Sequence, residues 1–155
     1  MEIIQTHSTN YASFLYRVLA FVIDFIILSI IGQIINAIFG VNSFAMMNTQ
    51  DVSVVQDMVK SMMPALGAST VLQAAYYTFM ESSAKQGTIG KIALGLKVVD
   101  YNGERITPTK AFLKYIGRII NACTCMIGYL LPLFTEKKQA LHDMIGGAVV
   151  IKEEK

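Results

Sequence analysis

Apolar and polar positions along this chain fall into blocks. From Val18 to Gly40 there are 23 residues with one formal charge, Asp24. At about 1.5 Å of rise per residue they are long enough to cross a hydrocarbon core of roughly 30 Å. Met62–Met80 is a second block, charge-free over 19 residues, with Pro64 in its first turn, where a missing N–H is harmless. These blocks predict two membrane spans, at about 18–40 and 62–80. The intervening 41–61 segment, with Asp51, Asp57 and Lys60, predicts a water-facing loop whose 52–62 part forms an amphipathic surface helix. A third apolar region, 111–134, carries Lys114 and Arg118 in its first third and Pro132 near its end.

Between the second and third blocks the pattern changes. The stretch LGLKVVDYNGERIT alternates apolar and polar around Asn102-Gly103, which predicts a small β-hairpin at about 95–107. Thr107-Pro108 then fits a helix start, with threonine as the cap and proline in the first turn. The tail, 135–155, reads as a polar turn, a helical LHDMI piece, a double glycine and a strand-like AVVIK. Lys and Arg number one in the 41–61 loop, six from Glu81 to Tyr115 and four after Phe134. By the positive-inside rule the hairpin side and the amino terminus are cytoplasmic. A third full crossing would put the basic tail outside, so a re-entrant region broken near 122–124 or at Gly128 is favoured over a third span, leaving AVVIK free to pair with LKVVD. The expected fold is therefore a single domain over 1–155: an α-helical integral membrane protein with two full transmembrane helices, a third apolar region that is re-entrant or a third span, and a small cytoplasmic β-hairpin.

Composition agrees, with 54% hydrophobic and 15% charged residues against about a quarter charged in soluble proteins. A net charge of +2, without basic and aromatic interleaving, excludes nucleic acid as a partner. Cys123 and Cys125 are too few, and wrongly spaced, for a disulfide framework or a zinc site, so no metal and no cofactor are expected. The first block lacks a basic lead-in and a cleavage site, and reads as a retained span and not a signal peptide.

Charges inside apolar blocks are expensive and ask for partners. Ser13, Arg17 and Asp24 share one face of the first span, with Arg17 about 10 Å from Asp24 along the axis, too far for a direct bridge. Gln33 and Asn36 lie off that face, so the first span has no continuous polar track. The second span offers Thr70, Gln73, Tyr77 and Glu81 as a stripe, and the third region Lys114, Arg118, Asn121 and Cys125. Burying the three stripes against each other predicts Arg17 paired with Glu81 or Asp143, and Asp24 paired with Arg118. These pairs serve either as staples that hold the fold or as a charge network for an ion. Gly87, Gly90 and Lys91 lack the spacing of a phosphate-binding loop and read as a tight turn. Lys85, Lys91 and Lys97 are expected to meet anionic headgroups. His142 beside Asp143 lacks a nucleophile and makes no triad, and no enzyme is expected.

Arg17 with Asp24 one heptad later, GTIGKIALGLKVVDYNGERIT, and the closing KKQALHDMIGGAVVIK together resemble the RDD family of small bacterial membrane proteins, named for an arginine and two aspartates. The resemblance assigns these positions to Arg17, Asp24 and Asp143. The chain departs from the family at Gly87–Lys91, where a proline-set turn is usual, and at Gly147-Ala148, where Gly-Thr is usual. The resemblance implies a multi-pass protein of the bacterial inner membrane and a suspected transport role with no agreed substrate. Two functions follow as expectations: a cation transporter or cation/proton exchanger, as a homo-oligomer, using Asp24, Arg118, Arg17, Glu81, Asn121 and Gln73; or a non-transporting scaffold whose cytoplasmic hairpin binds a protein partner. A water-accessible cavity reaching Asp24 would favour the first.

Overall fold

The computed structural model describes residues 10–41, 51–123, 128 and 130–153. They form two compact units: one holds the described residues up to Asp24 and from Tyr76 onward, the other Phe25–Ala75. Two long helices, α1 (Phe14–Ile38) and α2 (Val52–Ser82), each contribute to both units.

In the Phe25–Ala75 unit the described stretches of α1 and of α2 beyond Ser61 expose apolar side chains, while Asp57 and Lys60 are exposed nearer the start of α2. Along α1, Phe25, Ile26, Ile30, Ile34 and Ile38 are exposed, as are Met63, Leu66 and Val71 along α2. Such surface has hydrocarbon as its natural solvent. Gly40, at φ +70°, stops α1. Its N–H reaches the carbonyl of Ala37 and that of Val41 reaches Asn36, the paired closure that glycine permits after a helix end. The expected surface helix and second span are one continuous helix, so Pro64 lies inside α2 and not in a first turn. Without an N–H it leaves one turn of the ladder open. Among the described residues, α1 alone is long and apolar enough to cross a membrane. In α2 the charge-free stretch is diluted by Ser69, Thr70, Gln73 and the Tyr76–Thr78 run.

The other unit is built on two antiparallel strands, β1 (Leu96–Asp100) and β2 (Ala148–Lys152), with Val98 opposite Val150 and Asp100 opposite Ala148. This corrects the expected hairpin. Asn102-Gly103 does make a tight turn, with Gly103 at φ +81°, but the returning chain pairs only at the Val99–Arg105 bridge. The main partner of β1 is the tail strand, the pairing of LKVVD with AVVIK that was expected beside the hairpin. The apolar pattern explains the choice: Val149 and Val150 are both buried in β2, whereas the residues after the turn are charged. A small core of Leu96, Val98, Ile106, Ala111, Ala148 and Val150 also takes in Ala12 and Ala20. Residues before α1 close the outer edge of β2 through the Tyr11–Ile151 bridge and the Ala12 N–H on Val150.

Three further helices complete this unit. α3 (Ile89–Ala93) is capped by Thr88, whose hydroxyl accepts from the Lys91 N–H. α4 (Pro108–Cys123) starts as expected, with the Thr107 side chain accepting from Lys110 N–H. α5 (Leu141–Ile145) packs closely on α4, and a 3-10 turn at Leu131–Leu133 lies between them in sequence. Of the expected break at 122–124 or Gly128, position 124 lies outside the described residues; 122 and 123 are helical in α4 and Gly128 is buried. Because β1 precedes α4 and β2 follows it, the chain leaves and rejoins the same sheet.

Candidate functional site

The charged residues of the apolar blocks meet in one buried cluster. Glu81, near the end of α2 and 1% exposed, receives Lys91 at 2.6 Å, Arg118 at 2.7 Å and Lys114 at 2.9 Å. Lys114, wholly buried, spans from Glu81 to Asp143, which it reaches at 3.0 Å. Asp143 in turn takes Arg17 at 2.6 Å. Arg17 also donates to the carbonyls of Ala12 and Val150, tying the start of α1 to β2 and α5. The Arg118 guanidinium lies 3.8 Å over the Tyr77 ring, a planar contact that lysine could not reproduce.

Asp24 is placed differently from expectation. Its carboxylate accepts from the Thr88 hydroxyl at 2.5 Å, the Tyr76 hydroxyl at 2.8 Å and the Gly90 N–H at 2.9 Å. It is the anion at the start of α3, not the partner of Arg118. That guanidinium is bound to Glu81 instead, which sits one turn of α2 beyond Tyr77. Tyr76 completes the arrangement by accepting the Ile89 N–H. The close approach of α3 to α1 requires glycine at position 90, because a Cβ there would collide with the carbonyl oxygen of Ala20.

Burial sets the protonation states. His142, on α5, is pushed down to about 3 by burial and by the cations Arg118, Lys114 and Lys91, against the pull of Asp143. It is therefore a neutral imidazole at pH 7, and its 3.5 Å approach to Asp143 is no ion pair. Burial would raise Asp143, but Lys114 and Arg17 hold it well below the usual carboxylate range. Lys91 is lowered to about 8, by burial first, with Glu81 opposing.

Of the residues singled out from the sequence, Arg17, Glu81, Arg118 and Asp143 join the cluster, and Asp24 neighbours it through α3. Asn121 is wholly buried against Gly128, and Gln73 lies in the Phe25–Ala75 unit. Lys91 was expected at headgroups; it is 8% exposed and bound to Glu81. Lys97 pairs with Glu153. Lys114 was placed in the polar stripe of the third region without a partner and Gly90 in a tight turn, while Thr88 and Tyr76 went unassigned; Lys114 and Arg118 at i, i+4 on one helix face were the signal. A cavity of about 240 Å³ in the unit that holds the cluster counts Arg17, Asp24, Lys91, Arg118, His142 and Asp143 among its lining residues. Among the described residues no group of three or more His, Cys, Asp or Glu could hold a metal ion.

The profile of the RDD family matches residues 11–147, a range that includes the cluster from Arg17 to Asp143. The chain belongs to the RDD family. An RDD relative from Bacillus subtilis (strain 168), "Uncharacterized protein YxaI", is 36% identical over 140 residues, covering 86% of this chain and 92% of that protein. "Uncharacterized protein RP437" of Rickettsia prowazekii (strain Madrid E) is 38% identical over 86 residues, 55% of this chain and 47% of the relative. "Uncharacterized membrane protein YteJ" of Bacillus subtilis is 32% identical over 85 residues, 54% of this chain and 50% of the relative. The matches thus span about half the length of the latter two. No solved structure matches the chain. Family and relatives make this RDD protein a small membrane protein, in contact with the lipid bilayer through surfaces such as the exposed face of α1.

Proposed function

We propose that this RDD protein is a non-transporting membrane scaffold, in which the ionic cluster is a clamp and the sheet with its 101–105 turn faces a protein partner on the cytoplasmic side. In this reading α1 and the 62–80 part of α2 are the two crossings, the amino terminus is cytoplasmic, and the protein catalyses no reaction. The observation that carries it is the state of the three carboxylates. Glu81 and Asp143 are each held by cations, and Asp24 receives three hydrogen-bond donors while 2% exposed. A transported cation needs acceptors. The surroundings of Asp24 supply donors, including a backbone N–H that cannot turn away.

A cation/proton exchanger that uses Asp24, as a homo-oligomer, is the second reading, because the cavity does reach that carboxylate. Proteoliposomes loaded with a pH-sensitive dye separate the two. Sodium, lithium or potassium pulses should produce no proton flux above protein-free vesicles. Flux present with the native chain and absent with Asp24→Asn would replace the scaffold reading with the exchanger. On the scaffold side, a photo-crosslinker at exposed Tyr101 in living cells should give a discrete adduct that is lost when 102–105 is replaced by a glycine-serine turn.

A further inference from the structure

Between Phe25 and Gly40 the polar side chains of α1 are Ser29, Gln33 and Asn36. Ile26, Ser29, Gln33 and Ala37, at steps of three and four, share one helix face, and all four are exposed. Ile30 and Ile34 beside them are 59% and 56% exposed. Gln33 lies about 12 Å along the axis from Phe25 and about 10 Å from Gly40. Its amide therefore stands in the middle of a stretch whose surroundings are acyl chains.

An amide in that position needs a partner. Gln33 brings two N–H donors and a carbonyl acceptor, while the backbone groups of the turns around it are committed to the helix ladder. A hydroxyl such as that of Ser29 can turn back to the carbonyl one turn earlier, as Thr70 does to Leu66 in α2. The longer amide has no such local outlet. The Gln33 side chain makes no hydrogen bond to any described residue, and it lies off the face of α1 that carries Asp24. Hydrocarbon offers neither donor nor acceptor, so an unmet amide is costly there.

Glutamine in a membrane helix is commonly met by a polar side chain of another helix, and the chemistry of this face fits one helix in particular. Two copies of one chain in one membrane insert with the same orientation, so their α1 helices run parallel. A two-fold axis along the membrane normal then sets each residue opposite itself. An amide is self-complementary in that arrangement, because each carbonyl accepts from the N–H of the other copy. Ser29 and Ala37, one turn to either side, are short and let the two backbones come close enough for the amides to meet. No formal charge lies between Phe25 and Gly40 to oppose the approach.

We propose that this face of α1 is the contact between two copies of the chain, a parallel dimer held by a reciprocal hydrogen-bonded pair of Gln33 side chains. The proposal rests on α1 crossing the bilayer, and neither on the scaffold reading nor on any ion being moved.

The test uses the full chain reconstituted in phosphatidylcholine liposomes, with Cys123 and Cys125 replaced by serine and a single cysteine introduced. Under mild oxidation Ser29→Cys and Ala37→Cys should give a disulfide-linked dimer. Ile31→Cys and Ile35→Cys, on the far side of the helix, should give less than a tenth of that yield. Energy transfer between chains labelled at the amino terminus, read as the protein is diluted with lipid, gives the dissociation constant of the native sequence and its variants. Gln33→Leu, which suits both helix and hydrocarbon, should raise that constant about five- to tenfold. Ala37→Ile, which holds the backbones apart and removes no polar group, should raise it as well. Ser29→Cys in dilute liposomes should also resist a water-soluble maleimide, a check on α1 lying in hydrocarbon that is separate from pairing; ready labelling would remove the premise and the proposal with it. A chain that stays monomeric in liposomes, including one whose face crosslinks only to a different protein in cells, would overturn the dimer. Equal crosslinking from the two sides of the helix, or a Gln33→Leu dimer as tight as the native one, would do the same. The crosslinking comparison keeps Gln33 in place and decides the matter even if Gln33→Leu fails to fold.

Discussion

Replacing Gly90 by alanine sets two effects of opposite sign against each other. Gly90 lies in α3, where helix propensity alone favours alanine by at most about 1 kcal/mol. The added Cβ, however, would overlap the Ala20 carbonyl oxygen and stand 3.1 Å from the Asp24 carboxyl carbon. The first obstacle is backbone inside α1 and cannot swing aside. α3 must therefore withdraw, stretching the 2.9 Å Gly90–Asp24 bond and with it the Thr88 and Tyr76 contacts. Overpacking of this kind costs about 1–3 kcal/mol, and a lost hydrogen bond to a charged group about 1.5–3 kcal/mol. Taking off the propensity gain, Gly90→Ala should destabilise by about 2–5 kcal/mol. Gly67, in the interior of α2, has nothing within 4 Å of where its Cβ would stand. Gly67→Ala should be neutral or stabilise by up to about 1 kcal/mol. Unfolding by SDS titration in mixed micelles, followed by far-UV circular dichroism, measures both. A Gly90→Ala variant as stable as the native chain would refute the close α1–α3 contact and the anchoring role of Asp24.

Lys114→Met removes the bridge between Glu81 and Asp143; broken buried pairs cost about 3–5 kcal/mol, and the lower end is expected because Lys91, Arg118 and Arg17 remain. A double-mutant cycle with Asp143→Asn should show coupling above about 1 kcal/mol, and strict additivity would deny the contact. His142 links stability to acid: the unfolded imidazole takes its proton near 6.5 and the folded one not until about 3. The unfolded state therefore binds more protons between these limits, and stability should fall on acidification by up to about 1.4 kcal/mol per pH unit. His142→Gln should flatten that window, leaving the loss due to protonation of Asp143 and other carboxylates below it. Arg17→Lys keeps the charge and loses the fork that also holds Ala12 and Val150, so melting should report a loss of about 1–2 kcal/mol.

Hydropathy placed the first helix, because span length and charge exclusion are local properties, but not the continuity of the 52–62 and 62–80 segments as one helix. Arg17 with Asp143 was readable for the same reason that any charge in an apolar block is: it must be met, and few groups are available. The partner of Asp24 was not readable. The sequence offers Arg118 as the nearest formal opposite, but two hydroxyls and a backbone N–H satisfy a carboxylate equally well, and backbone donors leave no mark in side-chain chemistry except Gly90 itself. Lys91 was misplaced because lysine spacing in a water-side segment looks the same whether the ammonium reaches lipid or folds back onto Glu81. The sheet was legible in part: the pairing of AVVIK with LKVVD was expected and is present, whereas the hairpin return is a single bridge. Asn-Gly fixes a turn, whereas strand choice depends on burial of Val149 and Val150, far along the chain.

The placement of polar and apolar faces on α4 bears on how this region meets the bilayer. Lys114 and Asn121 are wholly buried and Arg118 is largely so, while Phe112, Leu113, Ile119 and Ile120 are exposed. A soluble protein would reverse this arrangement, since lysine and arginine are almost never buried where water is the alternative. Where the alternative is hydrocarbon, an unpaired cation costs more than a desolvated pair, and inward charges become the stable choice. α4 is described over Pro108–Cys123. The strands on either side of it pair in one sheet. An outward apolar face and an inward ionic face suit a helix beside hydrocarbon, and the chain on either side of it returns to one sheet. The four cations of the cluster are held where three elements of the fold, α1, α3 and α4, converge, each against a carboxylate.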